Sequence, residues 1–352
     1  MEPDREPLAQ SFRAWSLDAR DCDCPLYERL ATAVADDPEL LRIAATVGRP
    51  PETNVFFAAV HFLLLGATEP ARGAPLARWY RSLVDDPLPA ASAFPAFRAF
   101  VLDRQAELAP LLRTRITQTN EVRRAGYLLP AFTAIHRAHG RRPLALLDIG
   151  CSAGLHLRFD RYAYDYGGVR AGDPGAAVVL RIDARGERPL PLDPRFPPCP
   201  WRRGIDLHPL DLADPIERRW FEALIWPDHV ERRALARRAI AELLADPPPI
   251  VRGDAIEQLD AQLADVPAEL ELIVYHCHAL CQASAAELAR FGERLLAASH
   301  RRRLHWLACE ADEVVLRTLE AGDSRERKLA RKDGHGRWIE WLADVEPSTT
   351  AP

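Results

Sequence analysis

The stretch LALLDIGCSAGLHL, Leu144 to Leu157, decides how this chain is read. An apolar run ends in Asp148, and a glycine-containing turn then leads into what reads as a helix. A short continuous apolar run closed by a tight turn fits a buried strand of a parallel sheet. In open parallel sheets the loop after such a strand presents backbone N–H groups and a helix N-terminus to a ligand. Gly150 and Gly154 let the backbone bend there and a ligand approach closely. The dinucleotide fingerprint G-x-G-x-x-G is not met, because Ser152 and Leu155 stand at its second and third glycine positions. A Walker A loop fails as well, since no Gly-Lys-Ser/Thr follows. GCSAG also reads as G-x-S-x-G, the serine-hydrolase elbow, and Asp312 and His335 follow in the Ser–Asp–His order. That reading needs earlier strands and an upstream oxyanion loop such as HGGG, and neither is visible. A tight strand-to-helix turn with no ligand is the third reading.

From Pro143 onward, short apolar runs alternate with helical ones. LALLDIG (144–150), RRGIDL (202–207), PIVRGD (249–254), LELIVYH (270–276) and RLHWLACE (303–310) read as strands, with helical stretches such as AAELARFGERLLAAS (285–299) between most of them. That alternation predicts a parallel sheet covered by helices. RERKLARKDGHGRWIEWL ends the pattern with a Lys-Asp-Gly-His turn between strand-like segments, a β-hairpin signal. The expected fold is α/β: five parallel strands plus a C-terminal antiparallel hairpin, behind an all-helical N-terminal part. The boundaries are set at 1–135 for the helical cap and 136–345 for the sheet domain, with a proline-rich insertion at about 158–200. Upstream, PLYERLATAVADDPELLRIAATV reads as two helices, with Asp37 as N-cap and Pro38 at the first helical position of the second. Phe97, Phe100, Val101, Leu108, Leu111, Leu112 and Ile116 predict one long amphipathic helix from about Pro95. Another helix is expected from about Glu121 to His139, kinked near Pro130.

The chain of 352 residues is 48% hydrophobic and 28% charged, a globular balance. Its formal net charge of -5 gives no global attraction to nucleic acid. Only Lys328 and Lys332 are lysines among the 46 basic residues, an arginine bias of the kind a GC-rich genome imposes. The start carries no signal-peptide pattern. VFFAAVHFLLLGA (55–67) falls short of the roughly 20 residues a bilayer needs and reads as a buried helix. Seven cysteines without a C-x-x-C pair fit a reduced, cytoplasmic setting.

At this point the residues resemble a known family. DIGCSAG is similar to the acid-x-G-x-G-x-G motif of class I S-adenosylmethionine-dependent methyltransferases, whose Rossmann-like sheet also has five parallel strands and a final hairpin. The likeness covers about Pro143 to Asp344. The whole chain resembles a family of uncharacterised bacterial proteins, a domain of unknown function, through RTRITQTNEVRR, DIGCSAGLHLRFDRYAYDYG, RRGIDLHPLDL, WPDHVER, VRGDA and HGRWIEWL. The methyltransferase resemblance implies S-adenosylmethionine as cofactor and a small-molecule acceptor; the charge balance and the lack of a long apolar stretch lead to no nucleic-acid or membrane partner being expected. It implies that Asp148 orients the loop, that Gly150 and Gly154 are its first and third glycines, and that Ser152 replaces the middle one. Asp206 is then the acid that meets the ribose hydroxyls, with Asp183 as a rival, and Asp254 is the acid after the third strand.

The acceptor side needs little beyond positioning and, for an N–H or O–H acceptor, a base. HCHALC (276–281) ends the fourth strand, where His276 and His278 would share one face with Cys277 opposite. Either histidine is a candidate base; a zinc site there matches no usual spacing, and no metal is expected. TQTNE (117–121) supplies a helix cap through Thr119 or Asn120, or alternatively a lid of Asn120, Glu121 and Arg115. Tyr162, Tyr164 and Tyr166 alternate and would wall a substrate pocket through Tyr164, or line an insertion strand. Asp228, His229 and Glu231 read as solvated helix-start residues, and His335 as a turn residue.

Overall fold

The computed structural model describes residues 5–66 and 74–344. The chain forms two compact units. One comprises the residues to Thr119 together with Asp211–Ala234, and the other comprises Asn120–Leu210 together with the residues from Leu235. The expected division at 135/136 therefore differs from the observed one. The helix Ala125–Ala138 packs Phe132 onto Phe159 and Tyr275, at ring distances of 5.2 and 5.4 Å, so it belongs with the sheet.

The first unit is helical. Helix Glu52–Gly66 is apolar on nearly every side, which suits a central helix, and Phe57 stacks on Trp15 at 4.9 Å. Asp37 caps helix Pro38–Ala44 as its sequence predicts, accepting from Glu39 and Leu40 N–H. The single long helix expected from Pro95 is two, Phe94–Asp103 and Gln105–Thr114, because Arg104 leaves helical geometry at φ -104°, ψ 16°. Phe97, Val101, Leu108 and Leu112 stay buried, so the apolar face runs on through the break. Asp228 and His229 are pinned rather than solvated: Asp228 accepts from Leu26 N–H and Cys24 Sγ, and His229 Nε2 meets the Cys22 carbonyl. No helix among the described residues is long and apolar enough to cross a membrane.

The second unit is mixed α/β around a large, mostly parallel sheet. Its strands are β1 (Leu144–Ile149), β2 (Ala163–Tyr166), β3 (Val169–Ala171), β4 (Val179–Arg181), β5 (Asp183–Arg185), β6 (Trp201–Asp206), β7 (Ile250–Arg252), β8 (Glu271–Cys277), β9 (Leu304–Cys309), β10 (Glu313–Glu320), β11 (Asp323–Lys332) and β12 (Trp338–Trp341). The nine-stranded order is β5-β12-β11-β10-β9-β8-β1-β6-β7, and β2 to β4 form a separate small sheet. The five expected strands, β1, β6, β7, β8 and β9, are parallel neighbours. The strand count differs beyond them. The expected antiparallel hairpin is present as β11 and β12, β10 joins it to β9 so that β9 to β12 run as an antiparallel meander, and β5 from the insertion joins β12 in parallel at the edge. EVVLRTLE follows β9 after only three residues, too few for the crossover that a parallel neighbour requires.

Side-chain alternation sorts β1 between two layers. Ala145, Leu147 and Ile149 join a core with Leu259, Phe291 and Leu295 from helices Ala255–Ala264 and Ala285–Ser299. Asp148 faces the other way and accepts from the Tyr275 hydroxyl. From β1 the chain proceeds to β6 and β7 on one side, then crosses to β8 and β9 on the other. The carboxyl ends of β1 and β8 therefore flank the topological switch point.

The opposite, N-terminal end of these strands holds a buried ion network. Glu271 accepts two hydrogen bonds from Arg303, at 2.8 and 3.0 Å, and one from His305 at 2.9 Å. His139, Glu271 and His305 bring ligand-type atoms within 4.8 Å of one another, but the carboxylate is already taken by a guanidinium and an imidazole. Burial alone would raise the Glu271 carboxyl; the His305 and Arg303 hydrogen bonds outweigh it and hold it down at about 2. A depressed carboxyl stabilises the fold above its unfolded value near 4.5, and that stabilisation is lost as pH falls through about 2. Glu271→Gln is expected to lose about 3 kcal/mol at neutral pH. Urea unfolding from pH 7 to pH 2 checks it: the gap between variant and wild type should close on acidification.

Candidate functional site

The loop after β1 is built by three left-handed residues. Gly150, Ser152 and Gly154 have φ of 70°, 55° and 80°. Ser152 thus keeps a glycine-type backbone at a cost of about 1 kcal/mol. A Cβ on Gly150 would lie 2.3 Å from the Ala279 Cβ, so the loop after β1 packs tightly on the loop after β8. The turn is tied by side chains from elsewhere in the second unit. Ser152 N–H donates to Asp206 Oδ2 at 2.8 Å, and Leu155 N–H donates to Asn120 Oδ1 at 2.9 Å. Asp206 Oδ1 accepts from His208 N–H, also at 2.8 Å. The Ser152 hydroxyl is buried and has no hydrogen-bond partner among the described residues. The elbow reading therefore lacks its base, since no histidine meets Ser152 Oγ. Beneath the loop, burial pushes the Asp148 carboxyl well above its ordinary range; the Tyr275 hydroxyl pulls it back, and nearby Asp206 pushes it further up.

The ends of β8 and β9 hold a second polar group. His276 and His278 do not share a face, because His278 leaves the strand at φ 53° and turns away. His276 Nε2 accepts from Trp306 Nε1 at 3.0 Å. An indole N–H only donates, so His276 Nδ1 carries the proton and gives it to Glu310 Oε1 at 2.5 Å. Both nitrogens of His276 are committed, which leaves none for a substrate. Glu310 Oε1 also accepts from Ala279 and Leu280 N–H, while Oε2 has no partner. Burial would raise that carboxyl, and the His276 hydrogen bond holds it below its usual range. His278 Nε2 lies 2.7 Å from Lys332 Nζ, which also donates to the Ala311 carbonyl at 2.5 Å. Burial first, then Arg124 and Lys332, lower the His278 imidazole to about 3.

The remaining sequence candidates fall as follows. Asp183 sits on β5, with five strands between it and β1 and on the order of 30 Å along the sheet, so it is no rival to Asp206. Asp254 caps helix Ala255–Ala264 through Oδ1, accepting from Ile256 and Glu257 N–H. The capping role expected of Thr119 or Asn120 is filled by Glu121, which accepts from Arg123 N–H. Arg115 belongs to the first unit, where it pairs with Glu217 at 2.6 Å and covers the Trp220 ring. Tyr164 is fully buried, with its hydroxyl on the Phe159 carbonyl at 2.7 Å, and Tyr162 and Tyr166 are buried and bonded likewise. These rings are core.

Sequence reasoning missed Arg124, Tyr127, Glu310 and Lys332. They come from segments up to about 200 residues apart in sequence, and no local pattern unites them. Lys332 alone carried a signal, as one of two lysines in an arginine-rich chain.

Residues 9–341 match the family described as uncharacterized protein conserved in bacteria, DUF2332. Comparison with curated proteins and with solved structures returns no match.

Ser152→Gly relieves the left-handed backbone and removes an unpaired hydroxyl, against a modest entropic cost in the unfolded chain. It is expected to leave stability unchanged or raise it by about 0.5–1 kcal/mol. A lower urea midpoint than wild type would show that the serine is needed to hold the turn.

Proposed function

The chain belongs to this bacterial family, and from that premise we propose that its α/β unit is an S-adenosylmethionine-dependent methyltransferase acting on a small molecule. The observation that carries the reading is Ser152. A strained residue with a buried, unpaired hydroxyl stands at the switch point, where ligands of open parallel sheets bind. The parallel order β7-β6-β1-β8-β9 supports it, with Asp148, Asp206 and Asp254 at or just after successive strand ends. The meander beyond β9 is this chain's own departure from the resemblance.

The residues present fit such a cofactor. Asp206 places a carboxylate at the end of β6, where its two oxygens accept the Ser152 and His208 N–H groups, and a carboxylate is the kind of acceptor that sugar hydroxyls would meet. Ser152 Oγ is an orphaned polar atom beside them, and Asp254 Oδ2 is left over from the helix cap. When bound, the cofactor supplies a methyl group already activated as a sulfonium. The chain's task is then to align the acceptor, exclude water and take a proton. His278 is the imidazole just past the end of β8 that keeps one nitrogen unpartnered, and Glu310 Oε2 is a buried carboxylate oxygen with no partner among the described residues.

One observation favours a second reading, a metabolite-binding module without catalysis. Several loop N–H groups that could meet a ligand are already satisfied by Asp206, Asn120 and the Ile205 carbonyl.

Isothermal titration with S-adenosylmethionine and S-adenosylhomocysteine tests the proposal. Both are expected to bind wild type, and Ser152→Gly is expected to weaken each about tenfold through loss of one hydrogen bond. No heat from either ligand on folded protein would overturn the cofactor reading. Binding without methyl transfer across broad acceptor panels would favour the module.

A further inference from the structure

We propose that His278 and Lys332 form one proton-accepting pair at the mouth of the sheet, with Lys332 as the positioning residue that receives the proton through the imidazole. The inference supplies the proton acceptor for the methyl-transfer reading and rests on that reading only for the identity of the proton donor.

The geometry sets the pair apart from an ordinary salt bridge. Lys332 is fully buried on β11, yet no carboxylate pairs with it among the described residues. Its Nζ meets only the His278 imidazole at 2.7 Å, the Ala311 carbonyl at 2.5 Å and the face of Tyr127 at 5.1 Å. The groups around it are Arg124 and Tyr127 beside the Ala125–Ala138 helix, Cys277 on β8, and Cys309 and Glu310 at the end of β9. His278 faces Arg124, Glu310 and His335 as well. A buried ammonium next to a guanidinium, with no carboxylate in contact, is a state that the surroundings oppose. Burial lowers the Lys332 amine, Arg124 adds to this, and the thiols of Cys309 and Cys277 and the Glu310 carboxylate act against it.

Composition adds an independent argument. Of 46 basic residues, 44 are arginine. The chemical difference that matters here is that lysine can give up its proton, whereas arginine cannot.

In the proton-free pair, His278 Nε2–H donates to the Lys332 lone pair, and Nδ1 holds an open lone pair. No protein group meets Nδ1 among the described residues. As an acceptor N–H or O–H is methylated, its proton moves to Nδ1. The Nε2 proton then passes to Nζ, giving an ammonium that donates to Ala311 and back to Nε2. The charge ends on Lys332, and the imidazole is neutral again.

The test uses the full chain with lysine labelled at 13Cε. Lys328→Arg removes the exposed lysine paired with Glu313 and leaves one lysine signal. That signal is expected to titrate below the ordinary lysine range, because burial and Arg124 oppose the ammonium. The His278 ring signals, identified by their loss in His278→Gln, are expected to move at the same midpoint. Lys332→Met should abolish that shared step and move the His278 titration up from about 3, still below its ordinary value because burial and Arg124 remain. A lysine signal that stays protonated to about pH 10, or a His278 signal blind to the lysine step, would overturn the pair. Because no cofactor is added, failure here is distinct from failure of S-adenosylmethionine to bind. The first measurement needs neither position altered, so it stands even if Lys332→Met does not fold.

Discussion

The hydrogen bond from Ser152 N–H to Asp206 Oδ2 is the contact on which the sheet's ligand-facing end depends. An N–H turned inward by a left-handed residue, in a buried loop, must find an acceptor or cost about 1–3 kcal/mol. A carboxylate is the strongest acceptor the chain can offer. Asp206 does more than accept this bond. Its other oxygen takes His208 N–H, and its backbone carbonyl takes Gly253 N–H at 2.9 Å. One residue therefore joins the exits of β1, β6 and β7. That leaves the crevice floor set by hydrogen bonds to a single side chain, with Ala279 against Gly150 closing the β8 side.

Within the same few residues, β8 gives its two histidines opposite fates. His276 is in the strand, so alternation carries it to the layer of Trp306, where donor and acceptor fix its tautomer. His278 is one residue past the strand, and its positive φ releases it from that alternation. It reaches Lys332 on β11 instead. The first imidazole has no spare nitrogen and holds Glu310 in place. The second has one nitrogen on Lys332 and one with no partner among the described residues. A backbone dihedral at a single position separates a structural histidine from a chemical one.

The parallel half of the sheet was legible in the sequence because β1, β8 and β9 are apolar runs buried along almost their whole length, and such runs stand out from the helices around them. The DIGCSAG turn was legible for a related reason: glycine spacing reports backbone conformation, and Ser152 adopts the glycine-type φ that its place in the motif implied. What the sequence concealed depends on long-range pairing. Nothing local in Asp183–Arg185 says that it will pair with Trp338–Glu340, so Asp183 looked like a strand-end acid when it is an edge residue. The hairpin of β11 and β12 was legible from its turn, whereas β10, which alternates half-buried and buried positions between β9 and β11, was not read. The three tyrosines alternate as a strand should, but the sequence carries no sign of which layer covers them, and they turned out to be core. Arg124, Glu310 and Lys332 meet only once β8 to β11 are laid in one sheet and the start of helix Ala125–Ala138 packs beside them.

The loop after β1 also limits how any ligand can be recognised there. In a phosphate-binding turn, backbone N–H groups are left pointing at the ligand, and their combined dipoles favour negative charge. In this chain Gly150 and Cys151 N–H are spent on the Ile205 carbonyl, Ser152 on Asp206 and Leu155 on Asn120. With those donors used, and two acids beneath and beside the turn, the crevice has little to offer a phosphate. What it presents is the Asp206 carboxylate and a Ser152 hydroxyl with no partner among the described residues. Such a set suits a ligand that presents hydroxyl and amine donors and carries positive or no net charge at the loop. That physical preference separates an adenosyl sulfonium from a phosphorylated nucleotide, and it follows from which N–H groups the fold has already satisfied rather than from the glycine pattern alone.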